Sequence, residues 1–326
     1  MGQVKLGWLG APIPIDATGK VATFEKDRAN IAFRFGVGQA GKLRACDDLK
    51  HNRVNLHCAA WNPIKLPTRG HISQMRLNIR TSERKWAFFK ADHEAAYKKL
   101  PLEPPNAPLA SVALRNPETS EWMALRPKAL LFGAAAAVLR YNCFSRLLSV
   151  LSNLTFVIPL IGYFDDFGAL IPYELSNDAI DTFVEVCATL GIHLETKKTE
   201  VGWGIIFLGI QGTFPRPAND MALVIKLPPK NAKTWRVMSE RIIKAESVSR
   251  KELESVIGRL SIAQTSVFGR IGREMLSPLY KKLHIGKCAP SLSLIEAASL
   301  RWRTVALAHM KHRKATPKPP RAERIV

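Results

Sequence analysis

The sequence predicts an α+β protein, and three observations carry that prediction. Strand-like runs bounded by turn residues, with helices crossing between them, fill residues 1–215. Helical periodicity alone fills residues 231–310. The tetrapeptide Tyr163-Phe164-Asp165-Asp166, which sets two acids side by side, sits between two apolar runs, 157–162 and 167–172, that read as the strands of a hairpin.

The elements follow in chain order. Ile31-Ala32-Phe33-Arg34-Phe35 alternates like a strand. The next six residues, Gly36-Val37-Gly38-Gln39-Ala40-Gly41, match the letters of a dinucleotide-binding glycine motif. That motif needs a helix opening there and an acid about 20 residues on. Instead Lys42-Leu43-Arg44-Ala45-Cys46 resumes the alternation, and no Asp or Glu occurs between Asp48 and Glu83. The glycines therefore read as a hairpin turn between two basic strands. Residues 86–92 form a buried-type strand ending on Asp92, and 93–100 give one or two helical turns stopped by Pro101. Asn116-Pro117-Glu118-Thr119-Ser120 marks a further hairpin. Residues 129–151 read as a long helix whose start is broken by Gly133, and 176–191 as an amphipathic helix capped by Ser176 and ended by Gly191. Residues 205–210 and 223–227 read as short strands. From Asn231 the pattern is helical, with Ser249-Arg250-Lys251-Glu252 as a capping box opening a helix to about Ala263, and further helices over 266–284 and 290–310. The Pro-rich basic tail, 311–326, is expected to be disordered.

Composition bounds the partner. The chain has 326 residues, with 48 Lys and Arg against 27 Asp and Glu, a formal net charge of +21. That surplus favours a polyanion, with nucleic acid as the first expectation. An apolar content of 47% indicates a globular chain. No apolar run reaches the roughly 18 residues of a membrane span, and the longest candidate is interrupted by Asp165 and Asp166. The first residues carry no signal-peptide pattern, so an intracellular address is expected, with nucleus and cytoplasm both open. The five cysteines are scattered and odd in number, which reads as reduced thiols. Cys46, His51, His57 and Cys58 match no common zinc spacing.

Three acids carry the chemistry: Asp92 at the end of one strand, and Asp165 and Asp166 at a hairpin tip. Adjacent carboxylates repel and resist desolvation, and a divalent cation relieves both costs. Carboxylates converging from separate strands are what two-metal phosphoryl transfer requires. The plainer alternatives are a solvated Asp-Asp turn and, for Asp92, a helix N-cap.

These residues resemble the motifs of the reverse transcriptase polymerase domain. Lys90-Ala91-Asp92-His93-Glu94-Ala95-Ala96-Tyr97 is similar to the first catalytic motif, an acid followed five residues later by an aromatic. Leu131-Phe132-Gly133-Ala134 resembles the second motif, Tyr163-Phe164-Asp165-Asp166 the Y-x-D-D motif, Leu190-Gly191 with Lys197-Lys198-Thr199 the next, and Phe207-Leu208-Gly209 the primer-grip turn. Upstream, Arg34-Phe35-Gly36-Val37, residues 42–48 and Arg53-Val54-Asn55 resemble the fingers hairpin. The likeness covers roughly residues 5–285 and is closest in feel to tyrosine-recombinase-type retrotransposons.

The resemblance implies a right-hand polymerase fold: fingers and an antiparallel-sheet palm over 1–215, with catalytic motifs in 86–210, then a helical thumb or connection over 216–310. It implies an RNA-directed DNA polymerase that adds deoxynucleotides to a primer 3′-hydroxyl. Its partners would be an RNA or DNA template with primer, deoxynucleoside triphosphates and other retroelement proteins, with no membrane. Asp92, Asp165 and Asp166, with the backbone carbonyl of His93, would bind two Mg²⁺ ions, Mn²⁺ being the substitute. Lys42 and Arg44 would close on the triphosphate. Tyr97 would lie under the sugar, Phe132 and Gly133 against the nucleotide, and Phe207, Leu208 and Gly209 at the primer end. Lys197 or Lys198 would donate a proton to pyrophosphate. Leu131 stands where a Pro is common in the second motif. No second acid-rich constellation follows the helical region, so no ribonuclease H, integrase or protease is expected in this chain. The rival expectations are a polymerase-like nucleic-acid-binding protein without turnover and an RNA-dependent RNA polymerase.

Overall fold

The computed structural model describes residues 2–15, 30–39, 42–58, 64, 66–67, 71–72, 74–75, 84–116, 118–214, 223–263, 271–284, 290–309 and 313–315. The chain runs α1 (Gly2–Lys5), β1 (Ile13–Pro14), β2 (Ile31–Gln39), β3 (Lys42–Asp47), β4 (Trp86–Asp92), β5 (Ser111–Arg115), β6 (Trp122–Leu125), α2 (Ala135–Leu154), β7 (Leu160–Tyr163), β8 (Asp166–Pro172) and α3 (Ser176–Thr189). It continues through β9 (Glu200–Gly202), β10 (Gly204–Phe207), β11 (Ile210–Thr213) and β12 (Leu223–Lys226). Helices α4 (Pro229–Ala245), α5 (Arg250–Ala263), α6 (Ile271–Glu274), α7 (Ser277–His284) and α8 (Leu294–Ala308) follow, then β13 (Arg313–Ala315).

The central sheet has the order β7-β8-β4-β9, antiparallel throughout. It is buried on both faces. Side chains alternate across a strand, so Phe89, Ala91, Phe167, Ala169 and Ile171 pack beneath α2 and α3 against Leu148, Phe183 and Cys187. Phe88 and Leu170 point the other way, onto Phe207, Ile210, Leu223 and Ile225 of the sheet β10-β11-β12-β13. Two-sided burial is why 167–171 reads as an unbroken apolar run. Residues 157–159, expected as strand, are not: Ile158 N–H donates to Ser152 C=O at 2.9 Å, and pairing begins at Leu160.

The N-terminal sheet has the order β1-β6-β5-β2-β3, with β2 parallel to β5 and antiparallel to β3. Gly36 and Gly38 lie inside β2 rather than in the turn; a Cβ on Gly36 would meet the Leu43 side chain at 2.7 Å. At the root of this hairpin, Arg34 donates to both oxygens of Asp47, at 2.6 and 3.0 Å, with both side chains buried. Arg34 also donates to Gln3. Lys98 is buried beside this pair, with Nζ making no hydrogen bond among the described residues; burial lowers its pKa to about 8, Asp47 opposing and Arg34 adding to the shift.

α2 begins at Ala135, later than the sequence suggests. Gly133 has φ +107, and a Cβ there would fall 2.4 Å from the Asp47 carbonyl oxygen. The cap position, Ala134, has no side chain to satisfy the helix. Asn55 does so from 80 residues away: its Oδ1 accepts from Ala135 N–H at 2.8 Å and its Nδ2 donates to Gly133 C=O at 2.9 Å. In α3, Ser176 lies inside the first turn and donates to Tyr173 C=O, while Leu175 holds the cap position. Gly191, at φ +74, follows the helix end as expected.

The C-terminal helices share a core built on Trp235, Leu253, Val256, Leu260, Leu279 and Leu300. The Ser249–Glu252 box opens α5, with Glu252 N–H to Ser249 Oγ at 3.3 Å and Ser249 N–H to Glu252 Oε2 at 3.2 Å. The tail departs from the expected disorder over three residues: Arg313–Ala315 pairs antiparallel with β12. Residues 310–312 and 316–326 lie outside the described residues, as do Cys288 and residues 264–270. Among the described residues no helix is long and apolar enough to cross a membrane.

Removing one partner of a buried ion pair strands the other. Asp47→Ala should therefore lower unfolding stability by about 3–5 kcal/mol, measured by urea denaturation.

Candidate active site

The register of β4 and β8 sets Asp92 directly opposite Asp166. Both belong to the face that also carries Phe88 and Leu170, away from α2 and α3. Directly opposed residues on one face of an antiparallel pair have Cβ atoms about 4.5–5.5 Å apart, and like charges there are unfavourable. Asp165 occupies the two-residue turn between β7 and β8, after Phe164, whose φ of +54 is uncommon for a bulky side chain. The turn is tied to the end of β4, where His93 N–H donates to Asp165 C=O at 3.1 Å. The expected acids thus stand at one end of the sheet's two inner strands and the adjoining turn. Asp92 does not cap a helix: the following 3₁₀ turn, Ala96–Lys99, has Ala95 at its cap position.

Lys198 supplies the local counter-charge, its Nζ 2.8 Å from Asp92 Oδ2. That hydrogen bond raises the Lys198 pKa. Burial pushes the Asp165 carboxyl up, and the charge of Asp92 adds to the shift, while its own backbone amide, Lys198 and Arg44 pull it down. Burial likewise raises Asp166, with Asp165 and Asp92 adding and Lys90 and Lys198 opposing. Carboxylate oxygens gathered in one place suit a hard divalent cation. Among the described residues, no three His, Cys, Asp or Glu side chains stand together as a formed metal site. The Lys198 ammonium is the positive charge paired with Asp92. The bridge between His93 and Leu194 uses the carbonyls of Asp92 and His193, with Glu195 N–H and Glu94 N–H as donors, and not that of His93.

Tyr97 lies beside this cluster; burial raises its pKa and the Asp165 charge adds. Its ring meets Phe132 edge-on at 5.2 Å and Tyr141 at 5.2 Å. Gly133 docks on Asp47, and Asp47 N–H donates to Phe132 C=O at 3.1 Å, so the Phe132-Gly133 segment is joined to the root of the β2–β3 hairpin. Arg44 is on that hairpin and within the field of Asp165. The Lys42 side chain lies outside the described residues. Lys197 is exposed and points no described interaction into the cluster, unlike Lys198. Leu208 and Gly209 form a tight turn with φ of +49 and +76, and the Phe207 ring fills the space that a Cβ on Gly168 would take at 2.9 Å. Gly168 is two residues from Asp166, about 7 Å along the strand, so the turn flanks the acidic face.

The hairpin presents a second surface. Phe33, Phe35 and Val37 alternate on one face of β2 and are all exposed, with Trp122 edge-on to Phe33 at 5.6 Å. Arg44 pairs with Val37, and Arg115 with Trp122, so two guanidinium side chains share this aromatic face.

Sequence reading missed a buried group beneath the acids. The His93 side chain is buried with Nδ1 hydrogen-bonded to the Tyr141 hydroxyl and Nε2 3.5 Å from Cys187 Sγ. Burial lowers the His93 pKa to about 4 and pushes the Cys187 thiol up to about 12, so both are neutral near pH 7. A lone Tyr in an Ala- and Leu-rich helix is the one sequence signal that could have marked Tyr141.

No protein-family model and no curated protein matches this sequence. Solved structures do. The foamy viral protease-reverse transcriptase, in its dRH form in complex with double-stranded DNA, superposes with a TM-score of 0.64 at 15% identity, covering 95% of this chain and 46% of that one. A second structure of the foamy viral protease-reverse transcriptase with double-stranded DNA gives a TM-score of 0.61 at 14% identity, covering 95% and 55%. The chain spans about half the length of these proteins. At this identity the likeness is one of fold.

A carboxyl whose folded pKa is raised binds protons more readily folded than unfolded, so stability falls as pH rises through that window. Asp165→Asn should therefore melt above the parent at pH 7 in metal-free buffer, with the gap closing as pH falls toward the ordinary value of 3.8. Thermal scans across pH read this directly.

Proposed function

We propose that the protein is an RNA-directed DNA polymerase with palm, fingers and thumb, extending a primer 3′-hydroxyl by in-line attack on a deoxynucleoside triphosphate. The observation that carries this reading is the cross-strand pairing of Asp92 with Asp166, with Asp165 at the adjoining turn. The fold shared with reverse transcriptases supports it. Asp92, Asp165 and Asp166, with the His93 carbonyl, would hold two Mg²⁺ or Mn²⁺ ions, which when bound lower the pKa of the attacking hydroxyl and offset charge at phosphorus.

The chain's own residues supply the rest. Arg44, on the hairpin, binds triphosphate oxygens. Tyr97 presents a ring where a ribose 2′-hydroxyl would clash, which favours deoxynucleotides over ribonucleotides and argues against an RNA-dependent RNA polymerase. Phe132 and Gly133 line the nucleotide, and Leu208 and Gly209 shape the primer-end turn. Lys198, rather than Lys197, is the proton donor to pyrophosphate, because its ammonium reaches the acid cluster. The exposed Phe33, Phe35 and Trp122, interleaved with Arg44 and Arg115, suit bases and phosphates of an unpaired template.

One observation favours the alternative, a nucleic-acid-binding protein without turnover: Asp92 is already paired with Lys198. Primer extension on RNA and DNA templates with Mg²⁺ or Mn²⁺ separates the two. Template binding without extension under every metal condition would leave the alternative standing. Asp165→Asn should abolish extension while retaining template–primer affinity by filter binding; extension at the parent rate would end the metal assignment. Lys198→Ala should slow single-turnover extension by about 10²-fold, and Lys197→Ala by less than about threefold if its ammonium stays in solvent as observed.

A further inference from the structure

Behind Tyr97 stands a chain of buried groups drawn from three parts of the fold. Tyr141, from α2, is fully buried, and its hydroxyl is bonded to Nδ1 of His93 at the end of β4. The His93 ring is also edge-on to Tyr141, at 6.0 Å, and tilted against Phe167 at 4.6 Å. An uncharged imidazole has one donor and one acceptor nitrogen. Nδ1 meets the Tyr141 hydroxyl, and Nε2 faces the Cys187 sulfur, from α3, at 3.5 Å. The imidazole is therefore engaged at both ends and cannot turn freely. Tyr141 in turn meets the Tyr97 ring at 66° and 5.2 Å, and Phe132 meets it at 87° and 5.2 Å. Tyr97 thus contacts both a ring anchored in the core and a ring joined to the hairpin root.

We propose that Tyr141 is a specificity-determining positioning residue: its hydrogen bond to His93 fixes the ring that backs Tyr97 and so sets the clearance Tyr97 leaves at the sugar 2′ position. This rests on the polymerase reading above. Without the hydroxyl, the Tyr141 ring loses its one directional tether, and Tyr97 can retreat into the space gained. The loss is selective. A deoxyribose needs no extra room, whereas a ribose is excluded by a fraction of a ring width.

The test uses the full chain in single-nucleotide primer extension with Mg²⁺, comparing kcat/KM for a deoxynucleotide and the ribonucleotide of the same base. Tyr141→Phe should lower the deoxy-over-ribo ratio about tenfold, the worth of one lost hydrogen bond, chiefly through faster ribonucleotide use. His93→Phe removes the hydrogen-bond partner from the other side, keeps the backbone carbonyl, and should give the same ratio. The double variant should fall no further than either single one. A merely structural role would slow both nucleotides together, and a ratio within twofold of the parent in a folded variant overturns the proposal. If Tyr141→Phe fails to fold, the His93→Phe ratio decides in the same terms. A parent protein that extends neither nucleotide is a different result, since it removes the polymerase reading first and this proposal with it.

Discussion

The register between β4 and β8 is the constraint on which the rest depends. It places two acidic side chains opposite one another on a single face, an arrangement that electrostatics disfavours. The sheet accepts it because the ladder is held elsewhere. Except for Lys90↔Gly168, the pairs from Trp86↔Pro172 to Ala91↔Phe167 are apolar, packed beneath helices on one face and a second sheet on the other. Slipping by one residue would turn Phe89 and Phe167 out of their core and bring the acids into it. The hydrophobic pattern thus enforces a charge arrangement that no local preference would choose.

A second junction transmits that order to the N-terminal hairpin. Asp47 is at once the buried partner of Arg34, a backbone donor to Phe132 and the close neighbour of Gly133. Asn55 caps α2 from the same region. The hairpin, the Phe132-Gly133 turn and the helix start therefore share one polar knot. The segment that presents Arg44 and the segment that presents Phe132 are positioned by the same few hydrogen bonds, which gives the aromatic and cationic groups a fixed relation despite coming from distant parts of the chain.

Much of this was legible in the sequence, and the reasons are specific. The acidic hairpin, the strand ending on Asp92 and the Ser249 capping box are local patterns, and local patterns determine local structure. The boundaries that differ were set by long-range contacts. α2 starts late because Asp47 lies against Gly133, and the strand before Tyr163 starts late because Ile158 is drawn back to Ser152. Cross-chain partnerships were invisible for the same reason. Nothing in the spacing of Lys197 and Lys198 says which one reaches Asp92, and nothing near residue 141 announces that its hydroxyl meets His93. The tail was read from its Pro and Lys content, which gives no warning that three of its residues find an open edge on β12.

That last pairing has a mechanical consequence. The helices from α4 to α8 leave the body through β12 and return to it through β13, and the two strands lie side by side. The ladder between β12 and β13 therefore closes the chain into a loop that holds every helix from α4 to α8, and losing that ladder would free the far end of those helices while leaving the near end attached.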